Sequence, residues 1–171
     1  SRPDAQDVSP EEEMNRLTMA LNILNNHYPD VPLSVDTFRA DIARRCVEKY
    51  RVAMINDISG GELDQTMFAQ LRVPYIIMHM RGTPQTMQQH TDYTDLMEEI
   101  MLYFARKVNK LHLLGVNDII IDPGFGFSKT LEQNYTLMKH LYEFKDLNHP
   151  VMVGISRKSM IYKLLSCTQN D

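Results

Sequence analysis

The chain has 171 residues, 43% hydrophobic and 23% charged, with a formal net charge of −4. That suffices for one domain with its own core and gives no basic surface to recruit nucleic acid or an anionic membrane. No apolar run approaches the roughly 18 residues that a bilayer span needs, and residues 1–13 are too polar and acidic for a signal peptide.

Ser9-Pro10-Glu11-Glu12 predicts a helix start: a serine cap, proline in the first turn and Glu12 completing a capping box. Met14, Leu17, Leu21 and Leu24 then recur at helical spacing until Pro29 and Pro32. A short strand is expected over 31–35, and a second helix from Asp36-Thr37 with Phe38, Ile42 and Cys46 on its buried side. Strand 52–55 ends at Asn56-Asp57, and a weaker helix over 63–71 follows Gly60-Gly61. Strand 75–78 ends at His79, before a long polar loop over 80–94. The helix over 95–114 is the clearest, with a stripe of Leu96, Ile100, Phe104, Val108 and Leu111, and Gly115 at its end. Strand 119–121 runs into Asp122, a helix is expected over 131–144, strand 151–155 runs into Ser156, and a last helix covers about 157–165. The two cysteines, Cys46 and Cys167, have no metal-like spacing and are expected to be reduced thiols in a cytoplasmic protein.

The order is one helix, then strand–helix five times. The strands are short apolar runs with little alternation, as expected when both faces are buried. This argues for a parallel α/β sheet, without separating a barrel from an open sheet. Each strand finishes on polar groups: Asp36; Asn56 with Asp57; His79; Asp122; and Ser156 with Arg157 and Lys158. In any α/β architecture those ends lie on one side, which holds the site.

Each residue also has a plainer reading. Asp36 could be a helix cap, Asn56 a turn residue and His79 a hydrogen-bonded core histidine. Asp122 is harder to explain that way, because Pro123 follows and the next helix starts several residues later. Two carboxylates and an amide around an apolar pocket suit a flat heterocycle rich in N–H donors, such as a 2-amino-4-oxopteridine. Phe127 and Met80 would contact its faces. Gly124-Phe125-Gly126-Phe127 fits neither a dinucleotide fingerprint, which would want glycine where Lys129 stands, nor a P-loop. The glycines read either as freedom to pass close to a ligand or as a structural turn. In Gly154-Ile155-Ser156-Arg157-Lys158-Ser159, cations and hydroxyls sit at a strand-to-helix junction. Lys158 would reach over the pocket to a ring acceptor or an anion, and Ser156 would hold a second substrate.

With these pieces the sequence resembles the dihydropteroate synthases of the folate pathway. The resemblance is carried by Ser1-Arg2-Pro3 with the later Val8-Ser9 and Glu11-Glu12-Glu13, by Ser34-Val35-Asp36-Thr37, and by Ile55-Asn56-Asp57. Met78-His79-Met80 with Gly82, Pro84, Thr86 and Met87, Asp122 through Phe127 with Lys129, and Val153-Gly154 with Ser156 through Ser159 complete it. It implies a parallel eight-stranded (β/α) TIM barrel. About five βα units are then expected here, so that residues 1–171 form a single pterin-binding domain incomplete at both ends and unable to turn over alone. It implies that Asp36, Asn56 and Asp122 bind the pterin with Lys158 on the ring, and that Ile58, Met80, Phe127 and Gly154 line the pocket. Asp36, Asp122 and Lys158 are then the catalytic set. Ser1, Arg2 and Pro3 would belong to a mobile loop that meets 4-aminobenzoate together with Phe127 and Ser156, and Arg2 would contact pyrophosphate. Mg²⁺ is implied, with its ligand loop outside this chain, as are a homodimer and small-molecule substrates, with no nucleic acid or membrane. Serine and aspartate at positions 1 and 4 depart from the family's usual threonine and glycine. The alternatives are a pterin-binding methyltransferase domain that serves a corrinoid, and a non-catalytic pterin-binding homologue.

Overall fold

The structure is a computed structural model that describes residues 8–60 and 65–168. Strands β1 (Ser34–Asp36), β2 (Met54–Asp57), β3 (Tyr75–Met78) and β4 (Ile119–Asp122) form one parallel sheet in the order β1-β2-β3-β4. Parallel neighbours require a crossover, and helices supply it. These are α2 (Ala40–Tyr50) between β1 and β2, α3 (Gln65–Gln70) between β2 and β3, and α4 (Leu96–Leu113) between β3 and β4. Helix α1 (Pro10–His27) precedes the sheet, and α5 (Leu131–Lys139) and α6 (Ser159–Tyr162) follow it.

Paired residues of a parallel sheet share a face, and successive residues alternate between faces. One face carries Val35, Ile55, Asp57, Tyr75, Ile77, Ile119 and Ile121, all buried. Its apolar members join Ala43 and Cys46 of α2, Ile100, Phe104 and Leu111 of α4, and Leu137 of α5 in one core. Four of the five stripe residues expected on α4, Ile100, Phe104, Val108 and Leu111, are buried and Leu96 is half-buried, and the Asp95 side chain caps the helix by accepting from the Glu98 amide at 2.9 Å. Phe104 meets Tyr103 and Phe144 edge-on. The opposite face carries Asp36, Asn56, Ile76, Met78, Ile120 and Asp122.

Several boundaries differ from the sequence expectation. Ser9 accepts from the Glu12 amide at 3.2 Å, but the Glu12 carboxylate turns to Arg16 at 2.7 Å instead of completing a capping box. Helix α2 begins at Ala40 rather than at Asp36-Thr37, because Thr37 is committed elsewhere. Its hydroxyl donates to Glu13 at 2.6 Å and accepts from the Arg39 amide at 3.2 Å. Phe38 is only half-buried, whereas Ile42 and Cys46 are core. The segment 151–155 is not a strand. Val151 forms a single bridge with Ile121, and the ladder stops after the Met152 amide bonds the Ile121 carbonyl. Val153 is then 38% exposed, and a Cβ on Gly154 would meet nothing within 4 Å. The expected helix over 131–144 breaks at His140 into α5 and a 3₁₀ segment, Leu141–Leu147, that delivers Phe144 to the core. The last helix shrinks to Ser159–Tyr162, between left-handed residues at Arg157 and Ser166. Both cysteines are free thiols, and burial raises that of Cys46 to about 11.

Candidate functional site

The register decides which strand-end residues converge. Asp36 pairs with Asn56, Asn56 with Ile76, Ile76 with Ile120, and Met78 with Asp122. Asp36, Asn56 and Asp122 therefore stand on one face, at the C-terminal ends of β1, β2 and β4. Asp57 does not join them: it points to the core and accepts the Tyr75 hydroxyl at 2.5 Å and the Ser59 amide at 2.8 Å.

Asp36 does not cap a helix as its plainer reading required. The cap of α2 is Arg39, not Asp36. Asp36 is exposed and close enough to Asp122 to raise the latter's pKa. The Oδ1 of Asn56 is buried with no hydrogen-bond partner. A polar atom left in that state costs about 1–3 kcal/mol, which a ligand N–H would relieve. Asp122 is 7% exposed and accepts from the Gly124 amide at 2.8 Å. Burial pushes its carboxyl above the ordinary aspartate range, against the Gly124 amide and the ammoniums of Lys158 and Lys129.

The loop after β4 folds by alternating its backbone. Gly124, Gly126 and Ser128 all have positive φ, at 72°, 79° and 47°. Phe125 consequently enters the core, while Phe127 stays half-buried. Asn134, buried on α5, accepts from the Gly126 amide at 2.7 Å. Lys158 lies across this loop: its Nζ donates to the Phe125 carbonyl and sits 4.8 Å from the Phe127 ring centre. Burial lowers the Lys158 pKa and Asp122 raises it. Ile58 is buried yet lies outside the main core cluster, and Met80 is half-buried. Gly154 and Ser156 are exposed. Ser1, Arg2 and Pro3 lie outside the described residues.

These residues come from well-separated parts of the chain, and the sequence match is longer still: the family described as pterin binding enzyme matches residues 1–171. The chain belongs to the pterin binding enzyme family. Among its relatives in that family, a dihydropteroate synthase of Synechocystis is 44% identical over 96% of this chain and 58% of the relative. The chain thus spans less than two thirds of the length of that protein. A crystal structure of the Yersinia pestis dihydropteroate synthase in a sulfonamide drug complex superposes with a TM-score of 0.92, at 36% identity, covering 99% of this chain and 62% of the other. The Xanthomonas albilineans dihydropteroate synthase with 4-aminobenzoic acid gives 0.88 at 33% identity, covering 97% and 59%. The four parallel strands and their helices are accordingly part of the TIM-barrel fold of those pterin-family neighbours.

Two further buried side chains lie beside this pterin-family site, the first as the sequence reading had it and the second in a role that reading did not give it. His79 is 3% exposed, meets Tyr103 edge-on at 4.9 Å, and is held neutral, its pKa lowered to about 2 by burial, Lys129 and Arg81. It is the satisfied core histidine of the plainer reading. Lys129, also 3% exposed, donates from Nζ to the carbonyls of Gly124 at 3.1 Å and Phe127 at 3.0 Å, and lies 3.0 Å from His79 Nδ1. In the sequence it stood out only as a residue of the resemblance motif after Asp122 and as the position where a third glycine would complete a nucleotide fingerprint. Arg81 stacks on Tyr93 at 3.9 Å, pairs with Glu99, and donates its backbone amide to Ser128 Oγ at 3.0 Å, which joins the loops after β3 and β4.

Proposed function

We propose that this chain carries the pterin site of a dihydropteroate synthase, which condenses 6-hydroxymethyl-7,8-dihydropterin pyrophosphate with 4-aminobenzoate to 7,8-dihydropteroate and pyrophosphate. The reading rests on one observation: Asp36, Asn56 and Asp122 share a sheet face beside an apolar loop. The free lone pairs of Asp122 would accept from the pterin's amino group and ring N–H, since Gly124 occupies only part of its accepting capacity. Asp36 and the unpartnered Asn56 Oδ1 would grip other ring donors, and Lys158 a ring acceptor. Ile58, Met80, Phe127 and Gly154 would line the ring's faces. Ser156 and Phe127, with Ser1, Arg2 and Pro3, would meet 4-aminobenzoate, and Arg2 the pyrophosphate. This subsite would also take a sulfonamide; the Yersinia pestis relative is a sulfonamide drug complex.

The chemistry is a substitution. The arylamine nitrogen forms a bond to the pterin's exocyclic methylene as the C–O bond to pyrophosphate breaks. The bonding pair leaves with pyrophosphate, and the nitrogen sheds its proton to solvent. An arylamine is already a neutral nucleophile, so no strong base is needed. The task is positioning, together with an ionised Asp122 that keeps the pterin electron-rich while positive charge builds on the methylene. Mg²⁺ would neutralise the leaving pyrophosphate. Among the described residues no three His, Cys, Asp or Glu side chains group closely enough to hold a metal ion, and none of the roles given to Asp36, Asn56, Asp122 and Lys158 runs through one. The same reading makes the whole protein a cytoplasmic homodimer. No helix among the described residues is long and apolar enough to cross a membrane.

Calorimetry on the full-length protein tests the proposal. The pterin pyrophosphate should bind first, and only then should 4-aminobenzoate or a sulfonamide bind. Methyl transfer to a corrinoid, with no incorporation of 4-aminobenzoate, would decide against it.

A further inference from the structure

The loops after β3 and β4 meet over the buried ammonium of Lys129. Lys129 has three N–H donors when charged, and three acceptors surround it: the Gly124 carbonyl, the Phe127 carbonyl and His79 Nδ1, at 3.0–3.1 Å. An ammonium has no lone pair, so His79 must accept through Nδ1 and carry its proton on Nε2. The two carbonyls belong to the residues that flank the pocket loop. Gly124 donates to the Asp122 carboxylate, and Phe127 faces Lys158. His79 follows directly on β3, so the same cation ties the loop after β4 to the end of the neighbouring strand. Serine and tyrosine reinforce the seam, with Ser128 Oγ accepting from the Arg81 amide and the Tyr93 hydroxyl donating to the Ser128 carbonyl at 3.0 Å.

We propose that Lys129 is a positioning residue of the pterin pocket, whose ammonium fixes the places of Asp122 and Phe127 by holding the loop carbonyls and His79. The proposal rests on the pterin reading above. Deprotonated, the amine keeps two donors and gains a lone pair, so it can hold both carbonyls and His79 only if the imidazole moves its proton to Nδ1, and it loses the charge that draws the two carbonyls inward; its grip on the loop weakens. The charged and titratable groups that face Lys129 are His79 at the end of β3, Arg81 in the loop after it, Asp122 at the end of β4, and Lys158 before α6. Burial lowers Lys129 to about 7, with Lys158 and Arg81 acting the same way and Asp122 opposing. The device therefore switches within an accessible range.

The test is binding of 6-hydroxymethyl-7,8-dihydropterin pyrophosphate to the full-length protein, wild type and Lys129→Met. At about pH 6 the variant should bind on the order of tenfold more weakly. That ratio, in which ligand ionisation cancels, should shrink by about pH 8.5 as wild-type Lys129 loses its proton, without reaching unity, because the neutral amine still has two N–H donors and methionine none. A pH-independent ratio, or equal affinities throughout, overturns the proposal. A variant that fails to fold is bypassed in the wild type by the ¹⁵N resonance of His79 Nδ1, which should report a midpoint near 7 in the free protein. Saturating pterin should move that midpoint up by about one unit, because binding and protonation are reciprocally linked. An unmoved midpoint overturns the proposal. Failure of the wild type to bind the pterin would strike at the functional reading instead.

Discussion

Asp122→Asn should cost the protein roughly 30- to 1,000-fold in pterin affinity, about 2–4 kcal/mol, without lowering its thermal stability. The substitution keeps the shape and the acceptor for the Gly124 amide, so the loop retains its 2.8 Å anchor. It removes the negative charge and turns an N–H₂ toward ring N–H groups, placing donor against donor. Stability should move the other way. Burial raises the folded pKa of Asp122 above its usual 3.8. A raised carboxyl stabilises the fold when protonated, at acid pH, and that contribution is lost as pH rises through the folded pKa. At neutral pH the free protein therefore holds an ionised carboxylate at a cost, and asparagine removes it. The same sign predicts that wild-type pterin affinity falls on acidification, starting above the ordinary aspartate range, while the variant's stays flat there. Calorimetry from acid to neutral pH, with a thermal melt of each protein, checks both.

Gly124→Ala should fail in the opposite manner, losing stability and binding together. Gly124 has φ +72°, and a Cβ there would lie 2.1 Å from the His79 carbonyl oxygen, a backbone atom that cannot rotate away. Left-handed strain in an alanine costs about 1 kcal/mol, and displacing the strand end or the loop adds more, for a total of about 3–5 kcal/mol. Gly126 is the control. Its φ is +79°, but a Cβ would meet only the flexible Lys158 side chain, at 3.4 Å, so Gly126→Ala should cost about 1 kcal/mol. Denaturant melts of the two variants separate a clash from a merely unfavourable dihedral.

The contrast between these variants follows how the site was written in the sequence. Asp122 was legible because an acid ends an apolar run and no helix follows closely enough for it to cap. The stripe of α4 was legible because burial on one side imposes its own period. That Asp36 and Asn56 join Asp122 came from the family resemblance and not from periodicity, and that Asp57 turns into the core toward Tyr75 was not legible at all, because both depend on register across strands. Lys129 was hidden for a related reason: a lysine reads as surface until three acceptors from two loops are assembled around it. The run 151–155 looked like its neighbours, yet a strand needs partners as well as propensity, and only Val151 has one. Helix 131–144 failed at His140, where burial of Phe144 is met by a tighter 3₁₀ path.

The account stands on three side chains from separate strands acting on one ring. The direct measurement is calorimetric titration of 6-hydroxymethyl-7,8-dihydropterin pyrophosphate into full-length wild type, Asp36→Asn, Asn56→Ala and Asp122→Asn. Each variant should stay folded and lose on the order of tenfold or more in affinity, and Asn56→Ala should melt no lower than wild type, because its buried Oδ1 has no protein partner to lose. A folded variant at any of the three positions that binds the pterin as tightly as wild type would contradict the account.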